Sequence, residues 1–146
     1  MKTAIVYYSK HHGNTKKLLD AIADIGDVDL IDAENSAQTN LESYDMIGFA
    51  SGIYYSKYNK SVLEFAQKKS SAGKKIFFIH TAGEPRENQN AAIKTITDEK
   101  GCQCLGTYFC KGFDTYGPFK LVGGIAKGHP NSDEISDAVS FYERLL

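Results

Sequence analysis

The sequence has no tryptophan, three prolines, three cysteines and two methionines among its 146 residues. No apolar run approaches the roughly 20 residues that a bilayer crossing needs, so no transmembrane segment is expected. After Met1-Lys2 only six mostly apolar residues precede Ser9, too few for the core of a secretory signal. Charge of one sign is missing as well. Seventeen basic and eighteen acidic residues leave a net charge of −1, which argues against a nucleic-acid surface or an acidic tail. With no export signal, Cys102, Cys104 and Cys110 do not make a disulfide framework and read as reduced thiols of a cytoplasmic protein. Cys102 and Cys104 would share one face of a strand, as small apolar fillers beside a sheet. No third and fourth ligand stands at zinc spacing, so no metal is expected.

What is present suits a core. Apolar residues make up 42% of the chain and include nine tyrosines and eight phenylalanines, which excludes intrinsic disorder. The length fits one domain, residues 1–146, burying roughly 70% of the surface of its unfolded chain. No internal repeat or linker interrupts it.

Short apolar runs alternate with segments of helical periodicity. Thr3 to Tyr8, Val28 to Ile31, Asp45 to Ala50, Lys75 to His80 and Cys104 to Cys110 read as strands. Leu18, Leu19, Ile22 and Ile25 predict a helix from about Asn14 to Ala23. Val62, Leu63 and Ala66 predict a helix from about Asn59, and Ala92, Ile93 and Ile96 one from about Glu87. A Gly-rich stretch, Gly112 to Gly128, precedes the last helix. That helix opens near Asn131 with Glu134 as a capping box, and Ile135, Ala138, Val139, Tyr142 and Leu146 form its inward stripe. Strict alternation implies right-handed crossovers and a parallel sheet with helices on both faces. An eight-fold barrel needs roughly 200 residues or more. The expected fold is therefore α/β, a doubly wound sheet of five parallel strands. Such sheets bind ligands outside the carboxyl ends of the strands, where strand order reverses.

The loop after the first strand reads Ser9-Lys10-His11-His12-Gly13-Asn14-Thr15. It leads into a helix N-terminus, where free amides and the helix dipole favour an anion. Ser9, Asn14 and Thr15 add side-chain donors; the plain alternative is that Asn14 or Thr15 merely caps the helix. Gly13 is not followed by Lys, so the loop is no Walker A motif, and it lacks the three glycines of a dinucleotide fingerprint. It also lacks the Cys and Arg of a cysteine-dependent phosphatase. A phosphate held by hydroxyls and amides remains. His11 and His12 have no carboxylates at ligand spacing, and Lys10 is at best an electrostatic helper.

Ile5-Val6-Tyr7-Tyr8-Ser9 followed by Gly13-Asn14-Thr15 resembles the FMN-phosphate signature of the flavodoxin family. The likeness extends through Gly48-Phe49-Ala50-Ser51-Gly52 and Gly128-His129-Pro130-Asn131. It implies a flavodoxin-like sheet of order 2-1-3-4-5 and a bound FMN. The implied contacts are Ser9 to Thr15 on the phosphate and Ser51, Gly52, Ile53, Tyr54 and Tyr55 facing the ring. His80, Thr81, Ala82 and Gly83 would lie at the ring edge, with His80 alternatively a satisfied strand-end histidine. A tyrosine of the second loop would stack on the ring. Gly52, next to Ser51, is the candidate for a peptide that turns its carbonyl toward the flavin.

The seven-residue span from Ser9 to Thr15 is longer than in ordinary flavodoxins. Like Tyr54-Tyr55-Ser56-Lys57-Tyr58 ahead of an apolar helix, it is similar to flavodoxin-like protoporphyrinogen oxidases. The expected function is a small soluble electron carrier, monomeric, that meets a reductase and an electron acceptor. The alternatives are a protoporphyrinogen oxidase or quinone-linked reductase, and a flavin-free interaction domain.

Overall fold

The computed structural model describes residues 1–36, 38–115 and 117–146. Ala37, in the polar loop after the second strand, and Tyr116, in the Gly-rich stretch, lie outside the described residues.

In chain order the elements are β1 (Thr3–Tyr8), α1 (Asn14–Ala23), β2 (Val28–Asp32), β3 (Met46–Tyr54), β4 (Lys57–Tyr58), α2 (Lys60–Lys69) and β5 (Lys75–Ala82). They continue with α3 (Ala91–Glu99), β6 (Gln103–Lys111) and α4 (Ser132–Leu145). A 3₁₀ turn over Glu87–Asn90 precedes α3, so the helix expected from Glu87 starts tighter than an α-helix. The main sheet is parallel in the order β2-β1-β3-β5-β6. Leaving β4 aside, this is the doubly wound order anticipated from the sequence.

Alternate residues of each central strand serve two cores. Ala4, Val6, Ile47, Phe49, Ile76 and Phe78 pack under α2 and α3. Ile5, Met46, Phe77 and Ile79 pack under α1 and α4, against Leu18, Leu19, Ile22, Phe141 and Tyr142. Gly48 is a packing necessity, because a Cβ there would stand 2.4 Å from Phe77 Cζ. Cys102 and Cys104 flank the first of these cores, partly buried, and Cys110 is buried in the second.

Three expectations are corrected. The third strand does not end at Ala50; it runs to Tyr54 and turns back on itself as β4, pairing Ile53 with Tyr58 and Tyr54 with Lys57. The Ser51–Tyr55 segment is therefore a strand end and hairpin, not a loop. Ile25 lies beyond the end of α1 and is 49% exposed, and Leu146, past the end of α4, is 59% exposed. Neither belongs to an inward stripe.

The capping box of α4 is present. Asn131 Oδ1 accepts from Glu134 N, and Asn131 N donates to Glu134 Oε1, both at 2.9 Å. Glu134 Oε1 also lies 2.6 Å from His129 Nδ1, and Oε2 accepts from Lys111 N at 3.3 Å, so the start of α4 is tied to the end of β6. These bonds hold the Glu134 carboxyl below its ordinary pKa against the opposing effect of burial.

Candidate functional site

Strand order reverses at β1, and the chain leaves the carboxyl ends of β1, β3, β5 and β6 around one point. The β1 loop reaches α1 through Gly13, the N-cap residue, in the left-handed region at φ 64°. Glycine adopts that backbone freely but offers no side-chain cap. Neither Asn14 nor Thr15 caps the helix, then. Ser9 takes part of that role, its Oγ accepting from Lys16 N at 3.0 Å, which leaves the Ser9 O–H as a donor. The amides of Asn14 and Thr15, at the first turn, have no intrahelical carbonyl to reach.

Thr15 Oγ1 and Thr81 Oγ1 are 2.9 Å apart and buried, joining α1 to the end of β5. One hydroxyl donates to the other, and the second keeps its hydrogen for another acceptor. Asn14 is only 6% exposed. Its Nδ2 donates to Phe113 O at 2.8 Å, whereas its buried Oδ1 has no hydrogen-bond partner among the described residues. An unsatisfied buried carbonyl oxygen is costly, so its position asks for a donor from outside the protein.

Ser9, His11, Asn14, Thr15, Thr81 and Phe113 are among the residues lining a narrow slot of about 20 Å³. Gly52, Ile53, Tyr54, Ala82 and Gly83 border it too, and several of these continue into a wider cleft of about 390 Å³. That cleft lies between the hairpin, with Tyr54, Tyr55 and Ser56, and the segment from Gly83 to Gln89; Phe119 and Asp114 close a third side. Tyr54 sits edge-on to Tyr8, ring centroids 5.6 Å apart, and Tyr55 is fully exposed at the hairpin tip.

Of the other residues singled out from the sequence, His11 and Gly52 border the slot and the rest stand away from it. Lys10 Nζ points to Asp32 and Glu34, at 3.7 and 3.8 Å, on the outer surface. His12 turns to Thr115 Oγ1 at 3.1 Å and packs at a tilt of 34° on Phe113, ring centroids 4.5 Å apart. His11 lines the slot, but its Nε2 accepts from Thr115 N at 3.2 Å. That bond requires the neutral ring. Burial first, then His12, holds its pKa below the usual histidine value, outweighing the pull of Asp114 3.5 Å away. Ser51 is buried, accepting from Asn59 N at 3.0 Å and donating to Gly52 O, so its hydroxyl braces the start of α2. Gly52 pairs with Thr81 across the β3–β5 ladder. His80 is fully buried on β5, behind the cleft wall, where burial lowers its pKa to about 4.

In the sequence the stretch from Gly112 to Gly128 reads only as Gly-rich. It supplies Phe113, Asp114, Thr115 and Phe119, and its glycines permit the close approach. A Cβ on Gly112 would lie 2.8 Å from Asn14 Nδ2 and one on Gly124 2.5 Å from Phe113 Cε1, while on the facing side a Cβ on Gly83, just after β5, would lie 2.5 Å from Ile125 Cδ1. Gly112 was the available signal, but only the fold reveals that it faces Asn14 at the start of α1.

Residues 5–110 match the family model described as a flavodoxin domain. An uncharacterized protein of Methanocaldococcus jannaschii is 41% identical over 148 residues, covering 100% of this chain and 99% of that protein. Among solved structures, a flavodoxin from the domain Archaea superposes with a TM-score of 0.70 at 17% identity, covering 99% of each chain. The general stress protein 14 of Treponema denticola, in complex with FMN, superposes with a TM-score of 0.68 at 12% identity over the whole of both chains. The doubly wound sheet, the Ser9–Thr15 loop at its switch point and the matched family model converge: this chain belongs to the flavodoxin family, as a flavodoxin-like flavoprotein.

Proposed function

We propose that the chain binds one FMN at this site and works as a small soluble electron carrier. The observation that carries the reading is Asn14: a buried side chain at the mouth of a helix N-terminus, with an orphaned acceptor in the slot. The donor set suits the group. Ser9, the Thr15–Thr81 pair and the first-turn amides of α1 offer hydrogen bonds to a phosphate, with no cationic side chain needed. Asn14 Oδ1 suits a hydroxyl donor one step further in, as the sugar-like chain between phosphate and ring provides. The 390 Å³ cleft beyond takes the ring, with Tyr54 or Tyr55 against one face.

FMN supplies the redox chemistry; the protein supplies position and electrostatics. The carrier reading is favoured by the side chains around the cleft. His11 is turned to Thr115 and His80 is buried on β5, bonded to Tyr58 and Arg86 O, so neither histidine is placed to move a proton at the ring. Tyr55 at the open rim leaves an approach for a partner.

The test is a titration of the purified chain with FMN and riboflavin, followed by spectroelectrochemical reduction. The expected result is one FMN per chain, far weaker riboflavin binding, and two resolved one-electron steps. Equal affinity for both flavins would remove the phosphate assignment. Reduction in a single two-electron step, with turnover of protoporphyrinogen against a quinone, would replace the carrier by an oxidoreductase.

A further inference from the structure

His80 makes two hydrogen bonds in opposite directions from a fully buried position. Its Nε2 lies 2.8 Å from Arg86 O; a carbonyl only accepts, so Nε2 carries the proton. Its Nδ1 is then a lone pair, and Tyr58 OH, 2.9 Å away, donates to it. The imidazole is clamped in that plane: it stacks on Phe109 with centroids 5.2 Å apart and 7° between planes, and Tyr58 meets it edge-on at 5.4 Å. Tyr58 is itself 2% exposed and edge-on to Phe78.

The two partners belong to the two walls of the cleft. Tyr58 is on β4, paired with Ile53, two residues before Tyr55. Arg86 ends the stretch that follows Gly83 and Glu84, and its N–H donates to Gln89 Oε1 at 2.8 Å. β4 also packs directly against the 87–90 turn, and His80 adds a hydrogen-bonded tie to each wall. A neutral imidazole is the side chain that donates at one edge and accepts at the other.

We propose that His80 is a positioning residue that sets the width of the cleft, holding the 53–58 hairpin and the 83–90 segment at one spacing. This rests on the cleft being the flavin-ring site, and it assigns His80 to the ring's walls rather than to the phosphate cradle.

The test uses two half-replacements. His80→Gln places an amide donor near the old Nε2, keeping the tie to Arg86 O and losing the acceptor for Tyr58. His80→Asn places a carbonyl acceptor near the old Nδ1, keeping Tyr58 and losing Arg86. Amide hydrogen exchange is read first, without flavin. Faster exchange is expected in 53–58 for His80→Gln and in 83–90 for His80→Asn, with Tyr58→Phe reproducing the hairpin effect in a milder variant. Titration follows. Each variant should bind FMN and riboflavin about tenfold more weakly, by the same factor for both, because only the ring's surroundings change.

Loosening of the same segments by both half-replacements, or of neither, would overturn the proposal and leave His80 a packing residue. A loss confined to FMN would overturn it too, by placing the effect at the phosphate. Exchange is measured on the flavin-free chain, so a wild type that binds neither flavin would sink the function proposed above without deciding the coupling of the two walls.

Discussion

Thr15 contributes a hydroxyl that touches Thr81 and faces the slot. In Thr15→Ala, FMN affinity should fall by about 1–3 kcal/mol, the range for losing a charge-assisted hydrogen bond in a shielded place. Riboflavin affinity should stay put, and paired fluorescence titrations check the difference. Gly112→Ala attacks the same cradle from the opposite side. Its methyl would meet Asn14 at 2.8–3.0 Å and push the amide off Phe113 O. FMN binding should weaken by about tenfold or more, since the displaced amide belongs to the cradle; wild-type affinity in that variant would clear Asn14 of any part in it. At this scale the sequence was legible where chemistry is local. Ser9, Asn14 and Thr15 stand out as donors beside a helix start. Lys10 and His12 were not legible: their partners, Asp32 and Thr115, are brought to them only by folding.

The hairpin is the element that departs most from expectation. Tyr55 and Ser56 hold φ values of 52° and 65°, the geometry of a two-residue turn with both central residues left-handed. Such turns favour Asn-Gly, and a side chain other than Asn or Gly there costs about 1 kcal/mol. Replacing Tyr55-Ser56 by Asn-Gly should stabilise the chain by about 1–2 kcal/mol in urea unfolding. If Tyr55 covers a flavin face, the same change should relieve part of the flavin's fluorescence quenching, with Tyr54→Leu as the companion measurement. Unchanged quenching in both variants would make the tyrosines packing residues. The strain explains why β4 was invisible: nothing in Tyr-Tyr-Ser-Lys-Tyr carries the composition of a turn. The parallel strands were visible because burial on both faces leaves continuous apolar runs such as Ile76-Phe77-Phe78-Ile79. Gly48→Ala, which sets a methyl against the Phe77 ring, should cost about 1–3 kcal/mol by overpacking.

For the molecule as a whole, acid sensitivity follows from His80. Its pKa is about 4 in the fold, against 6.5 unperturbed. Above pH 6.5 both folded and unfolded forms are neutral there and the contribution is fully present. Between 6.5 and 4 the unfolded chain takes up the proton first, so stability drains away, on the order of 3 kcal/mol in all. His11, whose pKa is also lowered, acts in the same direction. Urea midpoints measured from pH 7.5 to 4 should fall more steeply for the wild type than for His80→Gln. Parallel curves would show that the imidazole is not buried neutral. At this scale the parallel, doubly wound sheet was readable from the alternation of strands and helices, and its strand order from the resemblance to flavodoxins. The reach of the β6–α4 segment across the site was not, because glycine content signals permissiveness without saying what approaches.

That reach has a consequence for how the protein is made. Asn14 finds its partner at Phe113, 99 residues later, and Tyr142 OH donates to Thr3 Oγ1 across 139 residues. A ribosome delivers the N-terminal cradle first, yet its wall arrives only with the last quarter of the chain. If FMN binds as proposed, loading must wait until the segment after β6 and α4 have left the exit tunnel. Nascent chains stalled before residue 112 should retain no FMN, whereas chains extended past residue 146 by a linker long enough to clear the exit tunnel should retain it fully.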